Sequence, residues 1–535
     1  MDVKVTLRRL DSQRTLRQPH EATMQECFDY TFPERGNGLN SSTFNPQELQ
    51  TKKNRILDDT AADSSRILSA GLVSGTTPAN SIWFGLDMGG AESENEESEE
   101  ERWLDDSSVT IFENIHAANF DAAAYECCID IVPAGHFVLY IDEAPDGGYQ
   151  FEQWPIGECY ISASRPGKLI DTIFRETEFT VEQLVNEYGI DKVSAATRGK
   201  YENDKFDEKV KICQAIYPRK LSVVGARMAK NLPFSSCHIE INDKHLLRES
   251  GYHEFPCVCP RWMLVPGTNY ATGPVANALG SIRTINDIKA LELANLDIAV
   301  GGMWIAEDDG VLNPKSIKLG ARKVIIANSV DSMKELKSSG NFSVAFSAEE
   351  RLQATIRKIL LADQLQPQDG PAMTATEVHV RVQMIRQLLG PIYGRLQAEY
   401  LQPLIQRCFG IAYRAGVLGI APQGLQGREF LVKYISPLAR SQKMEEVLAI
   451  DQFIAGAVSI FQVHPDVMDT IDFDAAQSVK AAALGVPSSV RRPVKEIAAL
   501  RDKRDKQAQA AQQQQQQHEL MTKAAPAIAQ QAVAA

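Results

Sequence analysis

Residues Thr374–Phe409 read TATEVHVRVQMIRQLLGPIYGRLQAEYLQPLIQRCF, the longest periodic stretch in the chain. Val378, Val382, Ile385, Leu389, Ile392, Leu396, Tyr400 and Leu404 follow one another at steps of three or four. That period places them on one face of an α-helix. Thr374 and Glu377 supply a capping box at its start, the hydroxyl accepting from the third backbone N–H and the carboxylate returning to the cap's own N–H. The spacing predicts a helix over 374–417, of which 374–415 alone would be about 60 Å long at about 1.5 Å per residue. Pro391 and Pro403 fall inside it and have no N–H to donate, so kinks are expected rather than one straight rod.

Working outward, Asp363–Met373 (DQLQPQDGPAM) breaks helical character with two prolines and a glycine. Before it, Ser347 and Glu350 make a second capping box, opening a helix through Leu352, Ile356, Ile359 and Leu360. Leu279, Ile282, Ile285, Ile288 and Leu291 predict another helix over 276–300. These two helices flank a mixed insert, 301–346, rich in Gly, Lys and Ser. Further upstream, His136–Ile141, Leu169–Glu176, Val210–Tyr217 and His238–Ile241 are short runs separated by Gly, Pro and Asp. They predict an antiparallel β-rich section over 135–266.

Residues 1–86 read as mainly helical: Ile56, Ala61, Ser64, Leu68 and Leu72 sit near helical spacing, and Gly71 and Gly75 end the run. A turn around Pro78 then delivers Trp83, Phe84 and Leu86 to an apolar environment. The acidic block at 89–106 reads as a solvated loop. A helix follows it, with Phe112, Ile115, Ala118, Ala122 and Tyr125 on one side. After 418 come a short strand, Phe430–Ile435, and a helix over 438–462. The tail beyond Pro493 turns to Arg, Lys, Ala and Gln, with glutamine at every position from 512 to 517; it reads as solvated helix or disorder. The fold class is α+β, predominantly helical.

The 535 residues are 44% hydrophobic and 23% charged, which excludes global disorder. No run of 18 apolar residues appears, so no transmembrane helix is expected, and MDVKVTLRRLDSQRTLRQ lacks the apolar segment of a secretory signal. The net charge of −13 argues against a protein that grips DNA by neutralising phosphates; contact with nucleic acid must be local or weakly held. The nine cysteines follow no framework spacing, and most are expected to act as small apolar residues in a reducing compartment.

The sequence holds no GxxxxGK[ST] loop, no HExxH and no GxSxG. His238-Ile239-Glu240 followed by Pro256-Cys257-Val258-Cys259 is a near miss of the zinc-deaminase pattern. One residue between the cysteines does not readily place both sulfurs on a tetrahedral zinc; a strand with inward thiols is expected. Cys237 beside His238 lacks an acid or oxyanion feature. No catalytic residue, metal or cofactor is expected.

Three segments resemble one family. They are Asp58–Leu86, with its Asp–Ala–Ser helix, Gly-Leu-Val-Ser-Gly turn and Thr-Pro leading to Trp83-Phe84; Pro260–Pro274 (PRWMLVPGTNYATGP); and Thr374–Phe409. Together they are similar to the portal, or head-to-tail connector, proteins of short-tailed bacteriophages, over about residues 10–485. Ala271 stands where a glycine is usual, and the acidic block and Gln-rich tail have no family counterpart.

The resemblance implies a portal fold in a homododecameric ring at one capsid vertex, a conduit for double-stranded genomic DNA during packaging and ejection. It implies a wing over 1–275, stem helices at 276–300 and 347–362 flanking a clip at 301–346, and a tunnel loop at 363–373. A long kinked wing helix at 374–417, a wing and helical crown at 418–492 and a tail at 493–535 complete it. Gln364, Gln366, Gln368, Asp369 and Gly370 would face the channel; Lys315, Lys318, Arg322 and Lys323 would face DNA or a tail adaptor. Trp83, Phe84 and Trp262 would anchor the wing core. Implied partners are the terminase packaging ATPase, major capsid and scaffolding proteins and tail adaptors, with no membrane, in a virion assembled in the host cytoplasm. Another ring component of the head–tail neck is the alternative within the class; a cytosolic zinc or thiol enzyme is the alternative outside it.

Overall fold

The computed structural model describes residues 2–36, 39, 45–79, 82–87, 99–165, 167–220, 228–301, 304–306, 333–335, 342–365, 390–422, 431–433, 437–461 and 465–484, with scattered positions between 497 and 509. The chain divides into two units: Met1–Ala79 with Asn114–Ile411, and Asn80–Glu113 with Ala412–Ala535.

The first unit opens with α1 (Val3–Thr31), capped by the Asp2 carboxylate, which accepts from Lys4 N. Buried residues recur every seven positions, at Leu10, Arg17, Met24 and Thr31, so one stripe of the helix faces inward throughout. Asn45 caps α2 (Pro46–Arg55) and Pro46 fills its first turn, where the missing N–H costs nothing. Next, α3 (Thr60–Thr76) carries buried Ala61, Ser65 and Ser69. The Ser69 hydroxyl reaches the Cys128 carbonyl at 3.0 Å, a close approach that small residues permit. Gly71 does not end this helix, which runs five residues further; a single glycine costs only about 1 kcal/mol inside a helix.

Strand β1 (Gly85–Asp87) and most of α4 (Glu99–Ala117) belong to the second unit. The acidic block is therefore not all loop. Residues 99–106 form the first turns of α4. Leu104, Ser108 and Ile111 are buried at helical spacing, so the inward stripe begins inside the acidic run. The single helix expected after it is two, because the chain breaks at Ala118–Asn119 before α5 (Phe120–Ala134).

Two antiparallel sheets follow. One has the order β3-β2-β9, from Val138–Glu143 (β2), Tyr149–Trp154 (β3) and Cys257–Val258 (β9). The other runs β4-β5-β6-β7-β8, from Cys159–Ser162, Thr172–Thr180, Lys209–Pro218, Phe234–Glu240 and His245–Tyr252. The expected runs all lie on or overlap these strands. Two short helices between β5 and β6, α6 (Val181–Tyr188) and α7 (Ala195–Glu202), were not expected. A capping box of Thr180 and Gln183 starts α6, which packs Val181 and Leu184 against Val210, Ile212 and Leu247. Leu7 and Leu10 of α1 join Phe174, Cys213, Cys237 and Ile239 of the larger sheet.

The hairpin of β10 (Met263–Leu264) and β11 (Ala271–Thr272) returns the chain to the end of α5. Gly135 takes the left-handed conformation there, with φ +79. A Cβ on Gly273 would lie 2.2 Å from the Val132 carbonyl oxygen, so only glycine admits that approach.

Then come α8 (Pro274–Gly301), a ribbon of β12 (Trp304–Ala306) and β13 (Met333–Glu335), α9 (Phe342–Ile359) and α10 (Ala362–Leu365). Ser347 is not a cap. The helix begins five residues earlier, and no proline or glycine interrupts Phe342–Ser347. The proposed start of the long helix, including Thr374 and Glu377, lies outside the described residues. Its later part runs as Gly390–Leu396, a π turn at Gln397–Leu401, and Gln402–Arg414. Pro403 has no N–H for the Glu399 carbonyl, and the π turn directly before it adjusts the ladder at that point.

Three side chains fasten this helix to the sheet region. Glu399 receives Arg261 Nε at 2.9 Å, Nη2 at 2.8 Å and the Arg261 backbone N at 3.0 Å. Arg395 donates to the Trp262 carbonyl at 2.8 Å. Arg407, almost fully buried, reaches Glu254 at 3.0 Å and lies over the Tyr252 ring.

In the second unit Trp83 and Phe84 are buried with ring centroids 4.9 Å apart. Here β1 pairs antiparallel with β14 (Leu431–Lys433), and Leu86 N donates to the Ser108 hydroxyl at 3.1 Å. The helices Pro437–Phe461 and Phe473–Leu484 are joined by an ion pair of Lys480 with Asp451. All three aromatic anchors are buried; Trp83 and Phe84 belong to the second unit and Trp262 to the first.

Two predictions follow from this packing. Glu399→Ala strands the Arg261 guanidinium in the interior and should lower stability by about 3–5 kcal/mol, read by urea unfolding; the paired Arg261→Met/Glu399→Leu variant should recover most of that loss. The second concerns His136, fully buried, with Nδ1 3.3 Å from the Ala134 carbonyl. Burial, with Arg17, His20 and Arg261 adding to it, holds its pKa down at about 4. The unfolded chain takes up this proton below about pH 6.5, so the stability from a neutral His136 is intact above that and lost as pH falls toward 4, by about 3 kcal/mol. Thermal melts should be level from pH 8 to 7 and fall below 6.5, with a shallower fall in His136→Gln.

Candidate functional site

Polar contacts hold the α8–α9 pair and the turn that follows it. Lys289 pairs with Glu349 across the two helices. One turn nearer the body, Asn286 Oδ1 accepts from Leu57 N at 2.8 Å, and Gln353 donates to Asp58 at 2.9 Å. The segment before α3 therefore bridges both helices, and the two bonds fix an antiparallel register with Asn286 level with Gln353. Ile282, Ile285, Ile356 and Leu360 are buried below this bridge.

The chain then turns sharply. Leu361 sits at φ +58, a conformation costly for a branched residue. It redirects the chain into α10, whose Leu365 packs on α3 at Gly71; a Cβ on that glycine would come within 2.9 Å of the leucine. The break in helix thus comes at Leu361, two residues before the expected start of the loop, and 363–365 are helical. Gln364 is half-buried on α10. Gln366, Gln368, Asp369 and Gly370 lie outside the described residues, as do Lys315, Lys318, Arg322 and Lys323.

The deaminase-like residues are separately employed. His238 Nδ1 lies 2.6 Å from the Tyr188 hydroxyl, and burial lowers the His238 pKa to about 3. Glu240 is fully buried and accepts from Ser194 N at 2.9 Å and the Thr197 hydroxyl at 2.7 Å, fixing the start of α7. Cys257 and Cys259 instead join Cys159, Trp154 and Tyr270 in an apolar cluster. All nine thiols are buried, and burial pushes the Cys257 and Cys259 pKa values well up, which suppresses the nucleophilic thiolate. Among the described residues no group of His, Cys, Asp and Glu is arranged to hold a metal ion.

A cleft of about 530 Å³ lies beside α1 and the larger sheet, and its carboxylates are answered by cations of the fold. Asp130 takes Arg35 at 2.6 Å, Glu176 takes Arg14 at 2.7 Å and Glu158 takes Arg175 at 3.0 Å. That leaves no carboxylate pair poised for acid–base work there. No helix among the described residues is long and apolar enough to cross a membrane.

Sequence reasoning missed the buried arginines. Arg17 donates to the carbonyls of Ile156, Gly157 and Cys159 and stacks on Tyr160 at 4.0 Å. Its signal was present, because it occupies an inward position of α1 midway between Leu10 and Met24. Glu399, beside Tyr400 on the apolar stripe of the long helix, gave a similar signal.

Residues 4–491 match the family described as "Bacteriophage head to tail connecting protein". A probable portal protein of Bordetella phage BPP-1 is 28% identical over 94% of this chain and 91% of its own length. The portal protein of Salmonella phage epsilon15 is 27% identical over the same shares. That of Enterobacteria phage T3 is 18% identical over 55% of this chain and 53% of its own. The match to the family model takes in all three resembling segments and nearly every described element, and the chain belongs to the bacteriophage head-to-tail connecting protein family.

Proposed function

We propose that this chain is a phage portal protein, a ring-forming conduit for double-stranded DNA at one vertex of the head. The observation that carries this reading is the near full-length likeness to two relatives that are both named portal proteins. Those names favour a portal over another ring component of the neck. The buried, poorly ionised thiols and the internally paired carboxylates favour a structural role over an enzyme.

In this reading α8 and α9 are the stem, the insert between them is the clip, and 363–373, which begins within α10, is the tunnel loop. The wing contains the two larger sheets and the crown lies in 418–492. The packaging ATPase would dock first and tail adaptors later, with capsid and scaffolding proteins around the ring. The net charge of −13 per chain suits a passage that DNA must slide through, since a strongly basic lining would hold phosphates by counterion release. Gln364, Gln366, Gln368, Asp369 and Gly370 would offer polar contact without positive charge. Lys315, Lys318, Arg322 and Lys323 would give the clip a local basic face toward DNA or an adaptor.

The purified chain should close into rings of about twelve copies, because head-to-tail interfaces that close leave no free edge. Native mass spectrometry and negative-stain microscopy would show this; monomers or dimers alone at micromolar concentration would overturn it. Removing residues 366–371 should leave rings intact while impairing retention or translocation of DNA in a packaging assay. Loss of the ring on that deletion would make the segment structural instead.

A further inference from the structure

The segment Ile359–Leu365 (ILLADQL) contains no glycine, proline or asparagine, and leucine, alanine and glutamine are among the better helix formers. Taken alone it would carry α9 straight on. The fold does otherwise. Leu360 N still donates to the Ile356 carbonyl at 3.0 Å, but Leu361 N falls back to the Lys358 carbonyl at 3.3 Å. Leu361 then turns left-handed at φ +58, and Gln364 N and Leu365 N both donate to its carbonyl, at 3.2 and 3.1 Å, to start α10. Glycine is the usual residue at such a position, because a side chain there brings its Cβ against a carbonyl oxygen. The break therefore runs against local preference and is imposed from outside the segment.

The imposing contact is on α3. A Cβ on Gly71 would lie 2.9 Å from Leu365 Cδ2 and 3.1 Å from Cδ1, so the leucine fills a notch that exists because residue 71 has no side chain. Ala362 is buried in the same turn. In a continuous helix Leu365 would stand about 6 Å further along the α9 axis than Leu361, directed away from the notch. The seat on Gly71 and the left-handed turn thus stand or fall together. Strain at Leu361 favours the straight path and the apolar seat favours the bent one, and opposing effects of similar size leave both within reach.

We infer that residues 361–365 are a sprung latch with two arrangements: bent back onto α3 while Leu365 fills the Gly71 notch, and continuous with α9 once it leaves. The left-handed Leu361 is the spring and the glycine notch is the catch. The latch sets the direction in which the chain continues after Leu365. It is built within one chain, so it does not depend on ring formation.

The test uses the full chain with nitroxide labels on Ser74→Cys/Asp363→Cys, both exposed positions; the native thiols are buried. Double electron–electron resonance should show mostly the short distance of the bent arrangement. Leu365→Ala and, separately, Gly71→Ala should raise the ratio of long to short distances roughly tenfold or more, because each empties or fills the notch. Leu361→Gly should lower that ratio roughly tenfold and move the urea midpoint upward, since glycine adopts the turn without strain. Far-UV circular dichroism checks that the variants fold, and Gly71→Ala decides the matter if Leu365→Ala does not. A short distance that neither notch variant changes would make the bend a fixed one. A lower urea midpoint for Leu361→Gly would show that no strain is held there. Either result overturns the latch.

Discussion

The contact between Arg261 and Glu399 joins two stretches that are distant in sequence. A buried ion pair of this kind adds little net stability over a matched apolar pair, because both charges must leave water. Its effect is on specificity. Glu399 accepts both the side chain and the backbone N–H of Arg261, so helix and strand segment can meet in one register only. The π turn at Gln397–Leu401 belongs to the same arrangement, since it carries Glu399 itself. Arg395 on one side and Arg407 on the other extend the attachment along the helix. A helix made only of leucines could slide by a turn; one held by three charged side chains cannot.

The same tactic recurs in α1, where Arg17 ties the helix to the carbonyls leading into β4. Those carbonyls lie where the chain enters the edge strand of the larger sheet and would otherwise need water. Arginine suits the task because its fork reaches several acceptors while its flat face rests on an aromatic ring. The fold thus uses apolar surface for cohesion and buried guanidinium groups for register.

The sequence made much of this legible. Strands with β-branched runs bounded by Gly and Pro, and helices with a clear stripe, were placed within a few residues. The misreadings share a cause: local signals were trusted where longer patterns prevailed. Ser347 and Glu350 have the spacing of a capping box, but the helix was already under way at Phe342. The acids at 99–106 suggested solvent, while Leu104 and Ile111 marked an inward stripe. Leu361 offers no local sign of a sharp turn, because branched residues seldom adopt that conformation; the packing of Leu365 on Gly71 accompanies it. The division into units was beyond any local reading, since it is set by which distant segments pair.

That division bears on the order in which the protein can be made. Trp83, Phe84 and β1 leave the ribosome early, but their strand partner, β14, is Leu431–Lys433. At about 5–20 residues per second, the partner emerges roughly 20–70 s later. During that interval the first unit gains all of its sequence, while an aromatic pair and an unpaired strand wait without their mates. Slower or chaperone-assisted synthesis would therefore be expected to bear on the yield of this chain through residues 80–113.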